Sequence, residues 1–384
     1  MLQSKTRSWV TIDRNAILHN VEEIKKLLHK ESEIMAVVKA NAYGHGDGVI
    51  AKLLENNGIH TFAVSSVDEA LNLRRVGVSG DILILGYTPP VHFHYLIEEN
   101  LLQNFLSLDY AKKLNEFASA YGVMIRGHIK VDTGMGRLGI RYTDDEDGYE
   151  EIKAVYQLDH LAVEGIFSHF SVADELDDEN LKYTAHQIEL FEKVLGRLKE
   201  EGIKPGKTHI QNSYGILNYQ LHYDYVRPGL LILGVTSDDA IEIRSNPDFI
   251  PALSWYANVS YVKTVQPNSS ISYGRHYIAK SERKIATVSV GYADGVPREA
   301  SNSGMEVLVH GKRCTIVGNI CMDQMMIDVS DVDDVCEGDV VTLVGRDGDE
   351  QVKIDEWSRK VPTINNDMLC RISARVPRFY SRLK

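Results

Sequence analysis

Residues 33–46 read EIMAVVKANAYGHG, an apolar run of strand type that passes into a lysine and then a glycine-flanked turn. Similar runs recur at 61–64 (TFAV), 81–86 (DILILG), 104–108 (NFLSL), 125–132 (IRGHIKVD), 162–168 (AVEGIFS), 207–212 (KTHIQN) and 224–228 (DYVRP). Most intervals between them carry helical patterns, such as DEALNLRRVG after the second run and the stretch from Asp178 to Glu201 after the sixth. Upstream, Asp13 fits a helix N-cap, with Ile17, Val21, Ile24 and Leu28 following at helical spacing. Eight strand-then-helix units within about 230 residues fit a closed (β/α)8 barrel of TIM type, although an open parallel sheet of similar strand count would read the same way.

Past about residue 244 the rhythm changes. Short alternating runs (SWYANVSYVKTV, KIATVSVGY, MEVLVHG, RCTIVG, DVVTLVG) are separated by Gly, Pro, Asn and Asp, and helical patterning shrinks to IDEWSRKV. This is the pattern of a separate all-β domain. The expected division is an α/β barrel over 12–243 and a β domain over 244–384, with the boundary in TSDDAIEIRSNPDF and residues 1–11 packing against the second domain.

The chain has 384 residues, 42 Lys+Arg against 54 Asp+Glu (net charge −12) and 43% hydrophobic residues, a length that suits two domains and an apolar content that excludes disorder. No run of about 18 apolar residues could span a bilayer. The opening MLQSKTRSWVTID lacks the apolar core of a signal peptide, so a soluble cytoplasmic protein is expected. The acidic balance weighs against a nucleic-acid partner. Cys314, Cys321, Cys336 and Cys370 form no CxxC pair and no zinc spacing; free thiols without a role, and no metal, are expected.

Catalytic groups of such a barrel project from the C-terminal ends of its strands. There the first run ends in Lys39, Tyr43 and His45; the fifth in Asp132 and Arg137; the sixth in His169; the seventh in Asn212 and Ser213; the eighth in Arg227 and Gly229. Polar and cationic residues thus gather on one rim. Lys39 is the sharpest of them, because a charged head after IMAVV is costly unless it is used. A desolvated lysine has a lowered pKa and condenses readily with carbonyl compounds. The plain alternative is a side chain that reaches past the rim to solvent. NSYG and RPGL lie where barrels often hold a phosphate on backbone N–H groups.

Taken together, AVVKANAYGHG (36–46), KVDTGMGRLG (130–139), SHFSVADE (168–175), Asn212-Ser213, VRPG (226–229), SYG (272–274), GYADG (291–295) and ICMDQ (320–324) resemble alanine racemases, pyridoxal 5′-phosphate (PLP) enzymes with a barrel and a β domain. The resemblance implies that Lys39 holds PLP and acts as the base on one face of the substrate Cα, with Tyr273 as the base on the other, contributed by the partner in a homodimer. It implies Arg227 at the pyridine nitrogen and Tyr43, Ser213, Gly229 and Leu230 at the phosphate. Asn212 and His169 would also lie against the cofactor, His169 beside its ring. Arg137 would meet the phenolic oxygen and substrate, Lys130 is a candidate for carbamylation, and Tyr292, Met322 and Asp323 would line the entrance and the substrate carboxylate site.

One position departs from the family. Where alanine racemases usually carry a tyrosine in INYE, this chain reads INND, with Asn366 in its place. Loss of the phenol opens volume and adds an amide donor and acceptor. The exchange resembles the serine/alanine racemases of glycopeptide resistance, which supply D-Ser for altered peptidoglycan precursors. The expected function is therefore racemisation of serine as well as alanine. A housekeeping alanine racemase supplying D-Ala for the cell wall is the alternative. Those resistance enzymes normally carry a membrane domain, so the chain would be either a free-standing enzyme or the cytosolic portion of a longer parent.

Overall fold

A computed structural model describes residues 5–383. Eight parallel strands close into a barrel in chain order: Glu33–Val37, Thr61–Val64, Asp81–Ile84, Leu102–Phe105, Ile125–Asp132, Leu161–Phe167, Lys207–His209 and Tyr225–Val226, the last pairing back to the first through Tyr225 and Glu33. Closure excludes the open sheet. Along the first strand the side chains alternate: Met35 and Val37 join Ala63, Leu83 and Leu102 in one small cluster, while Ile34, Ala36 and Val38 join the main core. That is the two-residue period of a strand covered on both faces.

Asp13 caps the helix Arg14–Leu27 as expected, accepting from the Asn15 N–H, and the long helix after the sixth strand spans Asp178–Glu200. The fourth strand differs from its expected 104–108. It starts at Leu102 and ends at Phe105, because the Ser107 hydroxyl accepts from the Tyr110 N–H and begins the helix Leu108–Tyr121. The seventh and eighth strands are shorter than their apolar runs, which leaves 210–212 and 227–229 free to form rim loops.

In the second unit six strands close antiparallel. Leu253–Val265 pairs with Arg283–Val288, then Met325–Asp328, Lys312–Val317, Glu306–Val309 and Val340–Asp347, which returns to the first. Leu253–Val265 serves two neighbours because register shifts at Trp255/Tyr256 and Val259/Tyr261 bend it. Ser8–Ile12 lies between this strand and Arg378–Tyr380, antiparallel to one and parallel to the other. Residues 1–4 and 384, which the expected domain limits include, lie outside the described residues. The helix Ile354–Lys360 matches IDEWSRKV, but a second helix, Asn365–Arg371, was not legible; its INND start has no cap signature and no side-chain cap bond. Among the described residues no helix is long and apolar enough to cross a membrane.

Candidate active site

The strand ends frame a cavity of about 380 Å³, within the size range of small-molecule sites. Lys39, Tyr43, Lys130, Arg137, His169, Asn212, Ser213, Arg227, Gly229, Leu230 and Asn366 all line it. Four of these are cations, and no Asp or Glu is part of the lining. Such a site attracts an anion.

Lys39 stands at the head of an unusual turn. Ala40, Asn41, Ala42 and Tyr43 all have φ between 48° and 56°, with ψ between 44° and 53° at the first three, one full left-handed turn built without glycine. Each such residue costs about 1–2 kcal/mol, so the turn persists only because its surroundings hold it. The Ala40 N–H donates to Glu69 Oε1 at 2.7 Å, and Asn41 Oδ1 accepts from the Asp47 N–H. The last strand braces the far end, with Arg378 Nε donating to the Gly44 carbonyl and the Tyr380 hydroxyl to that of His45. Gly44 and Gly46 have φ of 83° and 98°, and a Cβ on either would collide with Leu369 O or the Tyr380 hydroxyl. Burial, reinforced by Arg137, holds the Lys39 amine below its ordinary pKa. His45, fully buried with Nε2 unpartnered, is pushed down to about 4 by burial; it belongs to the turn and not to the cavity lining.

Arg227 is 4% exposed and carries the floor of the cavity. Its NH1 donates to His209 Nδ1 at 2.7 Å, and its NH2 to the carbonyls of Ser168 and Ile210 and to His169 Nδ1 at 3.0 Å. A guanidinium only donates, so His209 and His169 must accept at Nδ1 and carry their protons on Nε2. His209 Nε2 then donates to His128 Nδ1, 2.8 Å away, which fixes the tautomer of the third ring. All three histidines are held neutral: burial, with Arg227 adding to it, depresses His209 and His169, while burial followed by Arg126 and Arg227 takes His128 to about 3. Both terminal nitrogens of Arg227 are spent on protein acceptors, and among the described residues Nε is not.

Neither His209 nor His128 was singled out from the sequence. The available signal was strand alternation, which puts His128 on the same face as Lys130 and makes His209 the inward residue of KTHIQN. Asp132, read as a rim group, instead ties down the loop that carries Arg137, accepting from the N–H groups of Gly134 and Gly136 at 3.0 Å. Lys130 is buried, donates to its neighbour's carbonyl at 3.0 Å and lies 5.1 Å from the Phe167 ring centre; burial and Arg227 hold its amine well below the ordinary value.

The cradle beyond the lysine fits a phosphate. Ser213 opens a short helix with Asn212 as its cap, the Gly229 N–H lies 3.4 Å from Ser213 Oγ, and a Cβ at Gly229 would strike the Tyr43 hydroxyl. Asn366 borders the same cavity with a buried Oδ1 that has no partner.

The β-domain residues do not join this lining. Tyr273 sits on a tight turn with φ of 67° at Ser272 and 72° at Gly274, and is 72% exposed. Tyr292 and Met322 are 40% and 53% exposed, and Asp323 pairs with Arg375 at 2.6 Å. One chain therefore does not bring these four residues into the barrel cavity.

Family profiles match both units: the alanine racemase N-terminal domain over residues 12–237 and the alanine racemase C-terminal domain over 252–380. The chain belongs to the alanine racemase family. It is 42% identical to alanine racemase 2 of Caldanaerobacter subterraneus subsp. tengcongensis, covering 97% of this chain and 94% of that one. It is 40% identical to alanine racemase of Methanococcus maripaludis, covering 97% and 98%. The solved alanine racemase of Clostridium difficile 630 superposes with a TM-score of 0.91 at 34% identity, covering 99% and 97%. A member of this family is a PLP-dependent racemase, an isomerase, and the cation-lined cavity with a half-buried lysine amine fits that cofactor. Asn366 does not by itself carry a serine assignment, because these relatives are named for alanine.

Proposed function

We propose that this protein is an alanine racemase working by two bases, Lys39 and Tyr273. The observation that carries the reading is the half-buried Lys39 amine, held below its usual pKa, in a cavity of cations without a carboxylate. Racemisation removes a proton from Cα and returns one on the opposite side, so a single base is not enough. When bound, PLP supplies the electron sink that makes the Cα proton removable.

In this reading Lys39 tethers the cofactor and moves the proton on one face. Arg227 would hold the pyridine nitrogen and, keeping its own proton, would leave that nitrogen unprotonated. Tyr43, Ser213, Gly229 and Leu230, with Asn212 capping the helix start, receive the phosphate. His169 would lie beside the ring. Arg137 orients the phenolic oxygen and the substrate. Lys130, buried with its amine held well below the ordinary pKa, suits carbamylation, which would give Arg137 a carboxylate partner. Tyr273 faces the second side from the partner of a homodimer, with Tyr292, Met322 and Asp323 forming the entrance. The exposure of Tyr273 and Met322 in one chain supports that arrangement.

Serine is the second reading. The unpartnered Asn366 Oδ1 favours it, since a hydroxymethyl group would donate to it. The test is D/L interconversion of alanine and serine by wild type, Lys39→Ala and Asn366→Tyr. Alanine turnover by wild type and none by Lys39→Ala, together with loss of the cofactor's visible absorbance, is the expected result. Replacing Asn366 by Tyr is expected to lower serine turnover relative to alanine by about ten- to a hundredfold. An unchanged ratio removes the serine reading and leaves the alanine one intact.

A further inference from the structure

We propose that Glu69 is the positioning residue for Lys39, its carboxylate clamping the peptide N–H immediately after the lysine to the exit of the second barrel strand. The inference rests on the racemase reading and deepens it. Glu69 lies in the first turn of the helix Val67–Arg75, where Ser66 is the N-cap and a negative charge is favoured. Its two oxygens are divided: Oε1 accepts from the Ala40 N–H at 2.7 Å and Oε2 from the Ser65 N–H at 2.6 Å. Ala40 is the first residue of the left-handed turn, and Ser65 lines the cavity. One carboxylate thus joins the ends of two neighbouring strands at the point where Lys39 leaves the barrel.

Two consequences follow from the chemistry of that clamp. The Ala40 N–H belongs to the peptide that Lys39 itself forms, so its direction sets where the lysine side chain starts. Without the clamp, a turn of four non-glycine residues in an unfavourable region gains freedom to relax, and the amine moves with it. The clamp also carries charge. The groups acting on the Lys39 amine are Arg137, which disfavours its charged form, and Glu69 and Cys370, which favour it; Cys370 is a thiol raised by burial and so uncharged near neutrality. Glu69 is then the negative charge that offsets Arg137. A glutamine can accept at only one of the two N–H groups and supplies no charge.

The experiment compares wild type, Glu69→Gln and Glu69→Ala as complete chains. Three quantities are measured: kcat and KM for alanine, the pH midpoint at which the PLP-free protein captures added PLP at Lys39 (mapped after borohydride reduction), and thermal stability. The expected result is a fall in kcat of about ten- to a hundredfold for Glu69→Ala, a smaller fall for Glu69→Gln, and KM within about twofold for both. The capture midpoint should move to lower pH equally in the two variants, since both lose the charge. Wild-type kcat in Glu69→Ala, or a fall in kcat that follows thermal stability with an unmoved midpoint, overturns the proposal. If Glu69→Ala does not fold, Glu69→Gln decides by its midpoint. Capture of PLP by Lys39→Ala would instead overturn the racemase reading, whatever Glu69 does.

Discussion

The barrel rim and the β-domain loops both carry motif residues, yet they are built in opposite ways. On the rim, Arg227 is 4% exposed and spends its terminal nitrogens on four protein acceptors. On the other domain, Tyr273 is 72% exposed and, among the described residues, only its backbone carbonyl is held, by Asn319 Nδ2 at 2.8 Å. A buried cation must be fixed in place to exist at all. An exposed phenol can wait for a surface to close over it. The difference separates a finished half-site from one that needs a complement.

The largest expected effect tests that division directly. Lys39→Ala and Tyr273→Phe should each lose racemase activity by at least about a hundredfold. Subunits of the two variants, mixed and allowed to exchange, should regain about a quarter of wild-type activity if sites are shared across a twofold interface. Half the dimers are then mixed, and each has one intact site of two. No recovery would mean that both bases come from one chain.

Stability should divide the same way. Arg227→Leu leaves the Ser168 and Ile210 carbonyls and two histidine nitrogens without donors, at about 1–3 kcal/mol for each buried group left unpaired. A loss of at least about 3 kcal/mol in denaturant titration is expected. Tyr273→Ala should change monomer stability by no more than about 0.5 kcal/mol, as an exposed side chain does. Equal losses would erase the contrast.

A smaller effect is carried by pH. His128 is pushed down to about 3, with His209 and His169 also depressed by burial. Unfolding frees these rings to bind protons below their ordinary pKa of about 6.5. The unfolded chain therefore holds more protons over that range, and stability falls as pH drops from about 6.5 towards 3, by up to about 1.4 kcal/mol per pH unit for each ring. Above about 6.5 the three contribute no slope. Urea midpoints measured for wild type and His128→Gln should show the shallower acid limb in the variant.

What the sequence disclosed follows the same line. All eight barrel strands were legible because runs such as IMAVV and FAV need no partner to be recognised as buried. Lys39, Arg227 and Ser213 were legible because each stands at a strand end. His209 and His128 were hidden inside strands, and Glu69 inside an ordinary amphipathic helix; their roles arise only when distant elements meet. Asn365–Arg371 escaped because its helix is held by the packing of Met368 and Leu369, both buried, and not by a cap. The left-handed turn was invisible for a related reason: nothing in KANAY departs from right-handed preference, and the conformation is imposed by Glu69, Arg378 and Tyr380 from outside.

That bracing from Arg378 and Tyr380 gives the molecule an order of assembly. The lysine loop lies hundreds of residues ahead of the two side chains that lock its far end, and those stand on a strand that must first align beside Ser8–Ile12. The eight barrel strands all precede that bracing strand in the chain, whereas the braced lysine turn is complete only once Arg378–Tyr380 has aligned beside Ser8–Ile12.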